Sequence, residues 1–227
     1  MAPDVGLCAQ VACLWEATAR KPGNVHRYAD FADANYLDFL LSAAAVAPVL
    51  TAACQQRLGI TILECVRATR RVVSSNTNLG IVLLLAPLAA VPNGENLQAA
   101  VPRLLDALDV EDSRLVYEAI RLAEPGGLGQ AAEQDVRTEP TLPLRPIMAL
   151  AADRDLIARQ YTNGFREVFE KGVPLVQQGL AVAGALEEAI LFAYLCFLRD
   201  NLDTLIVRKR NAAEAREASR RAGEVLA

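Results

Sequence analysis

Among its 227 residues this chain has one histidine, His26, and one tryptophan, and only 5% of its residues are aromatic. A lone histidine excludes any metal site built from several imidazoles, and Ser-His-Asp or Cys-His catalysis would have to run through His26. The chemistry therefore rests on carboxylates, amides, hydroxyls, lysine and arginine, around a hard, oxygen-preferring cation if a metal takes part. Basic residues are in deficit, 23 Lys and Arg against 27 Asp and Glu, for a net charge of −4. Such a chain lacks the positive surface of a nucleic-acid binder. Its five cysteines (Cys8, Cys13, Cys54, Cys65 and Cys196) include no C-x-x-C pair. They read as small buried hydrophobes in a reducing cytoplasm. No basic region followed by a long apolar one marks a signal peptide. The stretch 189–198 reads as the most apolar, bounded by Glu187-Glu188 and Arg199-Asp200. At ~1.5 Å per residue it is too short for ~30 Å of hydrocarbon, so a buried core helix and no membrane contact are expected.

What is present points to an all-α fold, a single compact multi-helix domain over residues 1–227 with buried central helices. The composition is 53% hydrophobic, supplied largely by alanine and leucine, which favour helix, while strands want β-branched and aromatic residues. A helix over 5–19 carries a stripe of Cys8, Val11, Ala12 and Trp15 and ends at Pro22-Gly23. A second spans about 33–57, with Pro48 as a kink. Thr61 and Glu64 have the form of a capping box for a third helix ending near Ser74. The run Leu79 to Leu85 is apolar on nearly every side, hence central. Shorter helices are expected over 95–108 and 111–123. Residues 124–146, rich in proline and glycine, form the longest irregular stretch, read as a lid or an ordinary loop. Helices resume over 147–169 and, past Gly172-Val173-Pro174, to about Asn201. The tail 208–227 reads as a charged helix or arm offering a contact for a second copy or another partner.

Three polar loops interrupt the apolar helices. The first holds Lys21, Asn24, His26, Arg27, Asp30, Asp33 and Asp38. Positive charge beside carboxylates suits a phosphorylated ligand carried with Mg²⁺, which keeps waters and needs only one or two carboxylates plus phosphate oxygens. An ordinary helix connection with surface charges explains the same residues equally well. The second loop places Ser74, Ser75, Asn76, Thr77 and Asn78 before a buried helix, where free N–H groups favour an anion. Simple N-capping needs only one of the five. The third, Glu124-Pro125-Gly126-Gly127-Leu128-Gly129, matches neither phosphate-binding glycine pattern, since no strand precedes it. Asp153 and Asp155 suit a helix N-terminus, with Asp155 and Arg159 spaced for a surface ion pair. Asp200 and Asp203 offer a further carboxylate pair.

Taken in order, Glu16, then Lys21-Pro22-Gly23-Asn24-Val25, then the serine-bearing helix from Asp38 to Ser42, then Asn76-Thr77-Asn78-Leu79-Gly80 resembles the triphosphoribosyl-dephospho-coenzyme A synthase family. The likeness covers most of the chain and continues more weakly through Asp203-Thr204 and Arg208. It implies an all-helical cytoplasmic enzyme that joins the triphosphoribosyl part of ATP to the ribose 2′-hydroxyl of dephospho-coenzyme A and releases adenine. By that resemblance Lys21 and the Asn76-Thr77 cap hold the triphosphate with Mg²⁺. Asn24, Arg27, Ser74, Asn78 and Gly80 complete the expected nucleotide contacts. Glu16, Asp38 and His26 are the candidate acid–base groups, a carboxylate taking the proton of the attacking hydroxyl. Asp30, Asp38 and Glu124 are the candidate Mg²⁺ ligands.

The chain also departs from the family. Asn78 stands where the family has a histidine, and the family's Gly-Ala-His-x-Asp-Met-Asp stretch is replaced by Phe31 to Asp38. No Arg-Gly-Glu-Ala segment is visible, Glu124-Pro125-Gly126-Gly127 standing in that region, and His26-Arg27 follow the lysine turn where an aspartate is usual. These departures point to a divergent branch with a different ribosyl acceptor, from a cofactor pathway such as pterin-linked one-carbon metabolism. The alternative is a non-catalytic helical protein that binds a nucleotide or phosphate, or assists assembly.

Overall fold

The computed structural model describes residues 4–126 and 129–227, and among them there are twelve α-helices and no strand. Gly127 and Leu128 of the glycine-rich segment, and the side chain of Arg208, lie outside the described residues. The all-α expectation holds.

Helix α1 (Val5–Thr18) is started by Asp4, whose carboxylate accepts the N–H groups of Gly6 and Leu7 at 2.9 and 3.2 Å. Its buried face is Gly6, Ala9, Cys13 and Ala17, not the expected Cys8–Val11–Ala12–Trp15 stripe. The small residues let α1 lie close against α2, and the larger ones turn outward, leaving Val11 43% and Trp15 36% exposed. Helix α2 (Tyr36–Thr51) starts later than the pattern indicates, at a capping box of Asn35 and Asp38, and gives way to a 3₁₀ turn, Ala53–Gln55. Pro48 sits inside α2 on its exposed side, and the Ala44 carbonyl it deprives of a partner belongs to an exposed residue too. The span Tyr36–Gln55, rather than 189–198, is long and apolar enough to cross a membrane by length and composition. Here it packs on α1 and α3 through Ala43, Val46, Ala47 and Leu50.

The expected capping box at Thr61 and Glu64 does not form. Helix α3 (Leu58–Arg70) begins three residues earlier, and Thr61 is fully buried within it. Its N-terminus is capped across the fold: Asp112, 53 positions away, accepts the Gly59 N–H at 3.0 Å and the Arg57 guanidinium at 3.2 Å. The same Asp112 closes the capping box with Asp109 that starts α6 (Val110–Ala123). One buried carboxylate thus fastens two helix starts.

Helix α4 (Leu79–Ala89) has no exposed residue, as its apolar sequence requires. It touches α1, α2, α3, α5 (Leu97–Asp106) and α8 (Leu156–Asn163). Fully burying side chains such as Val82 and Leu83 contributes about 1.5–3 kcal/mol each. The helical stretch expected from 147 opens three residues earlier, with α7 (Leu144–Ala149), and continues in α8 after a break before Asp155, which caps α8. Gly164 and Phe165, at φ 71° and 64°, end α8, and a π-helical turn, Val168–Gly172, leads into α9 (Val173–Ala183). Helix α10 (Leu186–Asp200) packs on α9 and on α12 (Ala212–Val225), joined through α11 (Thr204–Lys209). The tail is therefore no free arm. Ala215 and Ala222 are buried on its inner face, a stripe of small side chains that an apolarity scan undervalues.

Candidate functional site

Four helix ends meet where the predicted loops lie. Helices α1 and α2 form an antiparallel pair, closed at one end by the Thr18 and Tyr36 hydroxyls, 2.9 Å apart. The end of α3 meets the start of α4 through Thr69 and the Asn78 amide, at 2.9 and 3.2 Å.

From α1 the chain enters a tight turn in which the Asn24 N–H bonds the Lys21 carbonyl at 3.2 Å, with Pro22 and Gly23 at the centre. Gly23 has φ 80°, the left-handed value that a turn with proline first requires of its second central residue. The turn sends Lys21 inward. Only 4% exposed, its ammonium donates to the Glu16 carbonyl at 2.5 Å and pairs with the Glu16 carboxylate. A buried ammonium needs such partners. Helix α10 holds the turn from outside: Glu187 binds Arg20 at 2.9 Å and Arg27 at 2.8 Å, and Tyr194 donates to the Pro22 carbonyl at 2.8 Å. Burial, with the Asp203 and Glu16 carboxylates nearby, pushes the Tyr194 hydroxyl up to about 12, so it stays a donor at neutral pH.

The second loop is tied to the first through a hydroxyl chain. Ser42 donates to the Asp38 carbonyl at 2.6 Å and lies 2.6 Å from the Thr77 hydroxyl. Since Ser42 has one proton, Thr77 is the donor between them. Asn76 accepts the Leu79 N–H at 3.2 Å, whereas the Gly80 and Ile81 N–H groups, next in α4, meet no acceptor among the described residues. Ser75 Oγ is likewise buried without a partner among them. Asn78 is buried and turned toward Thr69, away from the free N–H groups. A Cβ on Gly80 would stand 2.9 Å from the Ile157 side chain, so this glycine lets α8 approach. Ser74 offers its carbonyl to Arg70, which also reaches Glu124 at 3.3 Å.

The remaining predicted residues occupy the turn before α2 or its rim. His26 pairs with Ala29 through its backbone, and its Nδ1 accepts the Tyr28 N–H at 3.2 Å. That places its proton on Nε2. Arg27 lies over the Tyr28 ring, 5.1 Å from its centroid. Asp30 accepts the Tyr36 N–H at 2.8 Å and Asp38 the Asn35 N–H at 3.0 Å, so the two carboxylates hold neighbouring amides at the α2 start. Glu124 sits apart, at the left-handed end of α6. Among the described residues no three His, Cys, Asp or Glu side chains gather as a metal-holding group.

A cavity of about 730 Å³ is lined by none of the residues expected to bind nucleotide or Mg²⁺, though Gly129, Asp153, Asp155, Arg159 and Asp200 of the sequence motifs do line it. Its walls come from 129–136, from α7 and the start of α8, and from 200–207. The irregular segment forming one wall is firmly fastened. Asp135 accepts the Ala131 and Arg137 N–H groups at 2.8 and 3.0 Å, and the Arg137 guanidinium beside it holds its carboxyl well below the usual range. Tyr117 donates to the Gln134 carbonyl, and Arg121 to that of Val136 at 2.7 Å. Asp155 caps α8, while Arg159 donates to the Ala152 carbonyl at 3.0 Å in place of the expected ion pair. Asp200 binds Lys171 and Arg199, while Asp203 caps α11, so the two do not act as a pair. Glu187 and Tyr194 carry no signal in the sequence because they meet the first loop only across more than 100 positions.

A family model for CitG, ATP:dephospho-CoA triphosphoribosyl transferase, matches residues 2–227. A crystal structure from Archaeoglobus fulgidus, provisionally described as a triphosphoribosyl-dephospho-CoA synthase, has a similar fold. Its TM-score is 0.64 and its identity 24%, over 82% of this chain and 81% of that one. No curated protein matches the chain.

Proposed function

The chain belongs to the ATP:dephospho-CoA triphosphoribosyl transferase family, and on that footing we propose that the helix-end cluster grips the triphosphate of ATP during triphosphoribosyl transfer. Membership supports the enzyme over the non-catalytic binding or assembly protein. The observation that carries the placement is the start of α4, where the Gly80 and Ile81 N–H groups meet no acceptor among the described residues, beside the buried Lys21 turn and the Thr77–Ser42–Asp38 chain. Helix N-termini with free N–H groups bind phosphate, and the Lys21 ammonium keeps one N–H beyond the two held by Glu16.

Mg²⁺ fits this end of the molecule. Asp30 and Asp38 each hold a backbone amide through one oxygen and leave the other without a donor among the described residues, and Ser75 Oγ is an orphaned polar atom nearby in sequence to the cap. Two carboxylates suffice for a cation that takes its other ligands from phosphate and water. When bound it would neutralise the triphosphate. Glu124, held by Arg70 at the end of α6, fits the set less well.

The chain's own groups then divide the work. Lys21, with Asn24 and Arg27 on the same turn, orients the phosphates, and Ser74, Asn76 and Thr77 shape the cap. Asn78 supports the cap through Thr69, and Gly80 provides the backbone approach. Asp38 is the better candidate base for the acceptor hydroxyl, because the Glu16 carboxylate is already bound to Lys21. His26, its Nδ1 accepting the Tyr28 N–H, has Nε2 as its available donor toward the departing base. Loss of adenine would leave positive charge at the anomeric carbon, which carboxylates at this end would stabilise. The acceptor is dephospho-coenzyme A or a related ribosyl alcohol, the compartment the cytoplasm, and the outer face of α12 a contact for another copy or a partner.

Incubation with ATP, Mg²⁺ and a panel of ribosyl alcohols including dephospho-coenzyme A tests the reading. Adenine should appear together with a product heavier than its acceptor by a triphosphoribosyl group. No adenine with any acceptor would refute it.

A further inference from the structure

Resting on the transferase reading, we propose that the 730 Å³ cavity is a nucleobase subsite, shaped for adenine. Its volume lies in the range of small-molecule sites. Its floor is aliphatic, with Ile120, Ile147, Met148 and Leu202 offering surface for the faces of a flat ring. Its rim repels phosphate: Glu133, Asp135, Asp153, Asp155 and Asp200 line it, against only Arg154 and Arg159. Both guanidiniums are tied back to carbonyls, Arg154 to Leu150 and Arg159 to Ala152, each at 3.0 Å. The first N–H groups of α8, which would otherwise attract an anion, are capped by Asp155.

Two further groups in the lining offer acceptors. Asp155 uses one carboxylate oxygen for the cap, and Asn201 uses its amide N–H on the Phe197 carbonyl at 3.0 Å. Their other oxygens receive no donor among the described residues. Triphosphate, itself all acceptor and anionic, meets five carboxylates against two guanidiniums here, whereas the exocyclic amine of adenine donates two hydrogens. Ile157, which follows the lining residue Leu156, packs against Gly80 at the start of α4. In this assignment a nucleotide has its phosphates on α4 and its base beside α8.

Calorimetry with adenosine and with tripolyphosphate as separate probes tests the assignment. Ala151→Trp and Leu202→Trp fill the cavity from its wall, and thermal melting confirms that each is folded. Both should weaken adenosine at least tenfold and leave tripolyphosphate unchanged, while Lys21→Ala should do the reverse. Both donor and acceptor carry adenine, so titrating ATP and dephospho-coenzyme A separately shows which one loses affinity in the filled variants. Adenosine that fails to bind the wild-type chain, or binds both folded variants as tightly, overturns the assignment. Adenosine binding in a chain that never releases adenine from ATP would instead refute the transferase reading and leave the base site standing.

Discussion

Ser42 Oγ and Thr77 Oγ1 lie 2.6 Å apart, both residues buried, and this contact joins the carboxylate-bearing start of α2 to the cap of α4. Replacing Ser42 by Ala leaves the Thr77 hydroxyl without its acceptor, at a cost of about 1–3 kcal/mol. Because the contact also sets the two arms of the site, kcat/KM for adenine release should fall tenfold or more. Ser42→Thr should recover much of that. Unchanged kinetics in a destabilised Ser42→Ala chain would show the contact to be structural only.

A second buried contact compensates a helix defect. Pro87 denies the Leu83 carbonyl its helical partner, and the fully buried Tyr161 hydroxyl donates to that carbonyl at 2.8 Å. Tyr161→Phe should therefore destabilise the chain by about 1–3 kcal/mol in denaturant unfolding. Combined with Pro87→Ala, which restores an N–H four residues on, the added cost of Tyr161→Phe should shrink. Strict additivity of the two would contradict the account.

Acid should loosen the junction of α3 and α6. The Arg57 guanidinium, followed by the Asp112 and Glu111 backbone amides, lowers the Asp109 carboxyl to about 2. A depressed folded pKa means the stabilisation is complete above the ordinary carboxylate value near 3.8 and is lost as pH falls toward 2. Asp109→Asn should flatten the stability profile across that window while leaving it parallel to wild type above pH 5. An unchanged acid limb would remove Asp109 from the explanation.

Thiol reactivity should divide the cysteines. Burial pushes Cys13 up to about 11 and Cys65 up to about 12, and Cys196 is buried as well, whereas Cys8 and Cys54 are exposed. An aromatic disulfide reagent should titrate two thiols in the native chain and five after denaturation. Rapid native modification of Cys13 or Cys65 would contradict the packing of α1 on its neighbours.

The fold was readable where local chemistry governs it. Pro22-Gly23 announces its turn, and the apolar run from Leu79 announces a central helix. Reading failed where a distant residue supplies the cap or the surface. Thr61 and Glu64 looked like a capping box because Asp112 cannot be seen from α3. The outward side of α1 was mistaken for its core side, since large residues outweigh the Gly6–Ala9–Cys13–Ala17 stripe in any apolarity pattern. Of the proposed site, the Lys21 turn and the Asn76-Thr77 cap could be named from the sequence, because each is a local turn or cap. The cavity proposed for the base could not be assembled from it, because Asp135, Asp155 and Asn201 converge only when α7, α8 and the end of α10 close around them.

The transferase proposal puts the triphosphate of ATP at the start of α4, beside the Lys21 turn. A crystal structure of the chain with Mg²⁺ and ATP, with no acceptor alcohol present, locates the phosphates. The β- and γ-phosphate oxygens should lie within hydrogen-bond distance of the Gly80 and Ile81 N–H groups, with the Lys21 ammonium alongside. Phosphates seated at the cavity rim of Arg154 and Arg159, leaving the α4 amides to water, would contradict it.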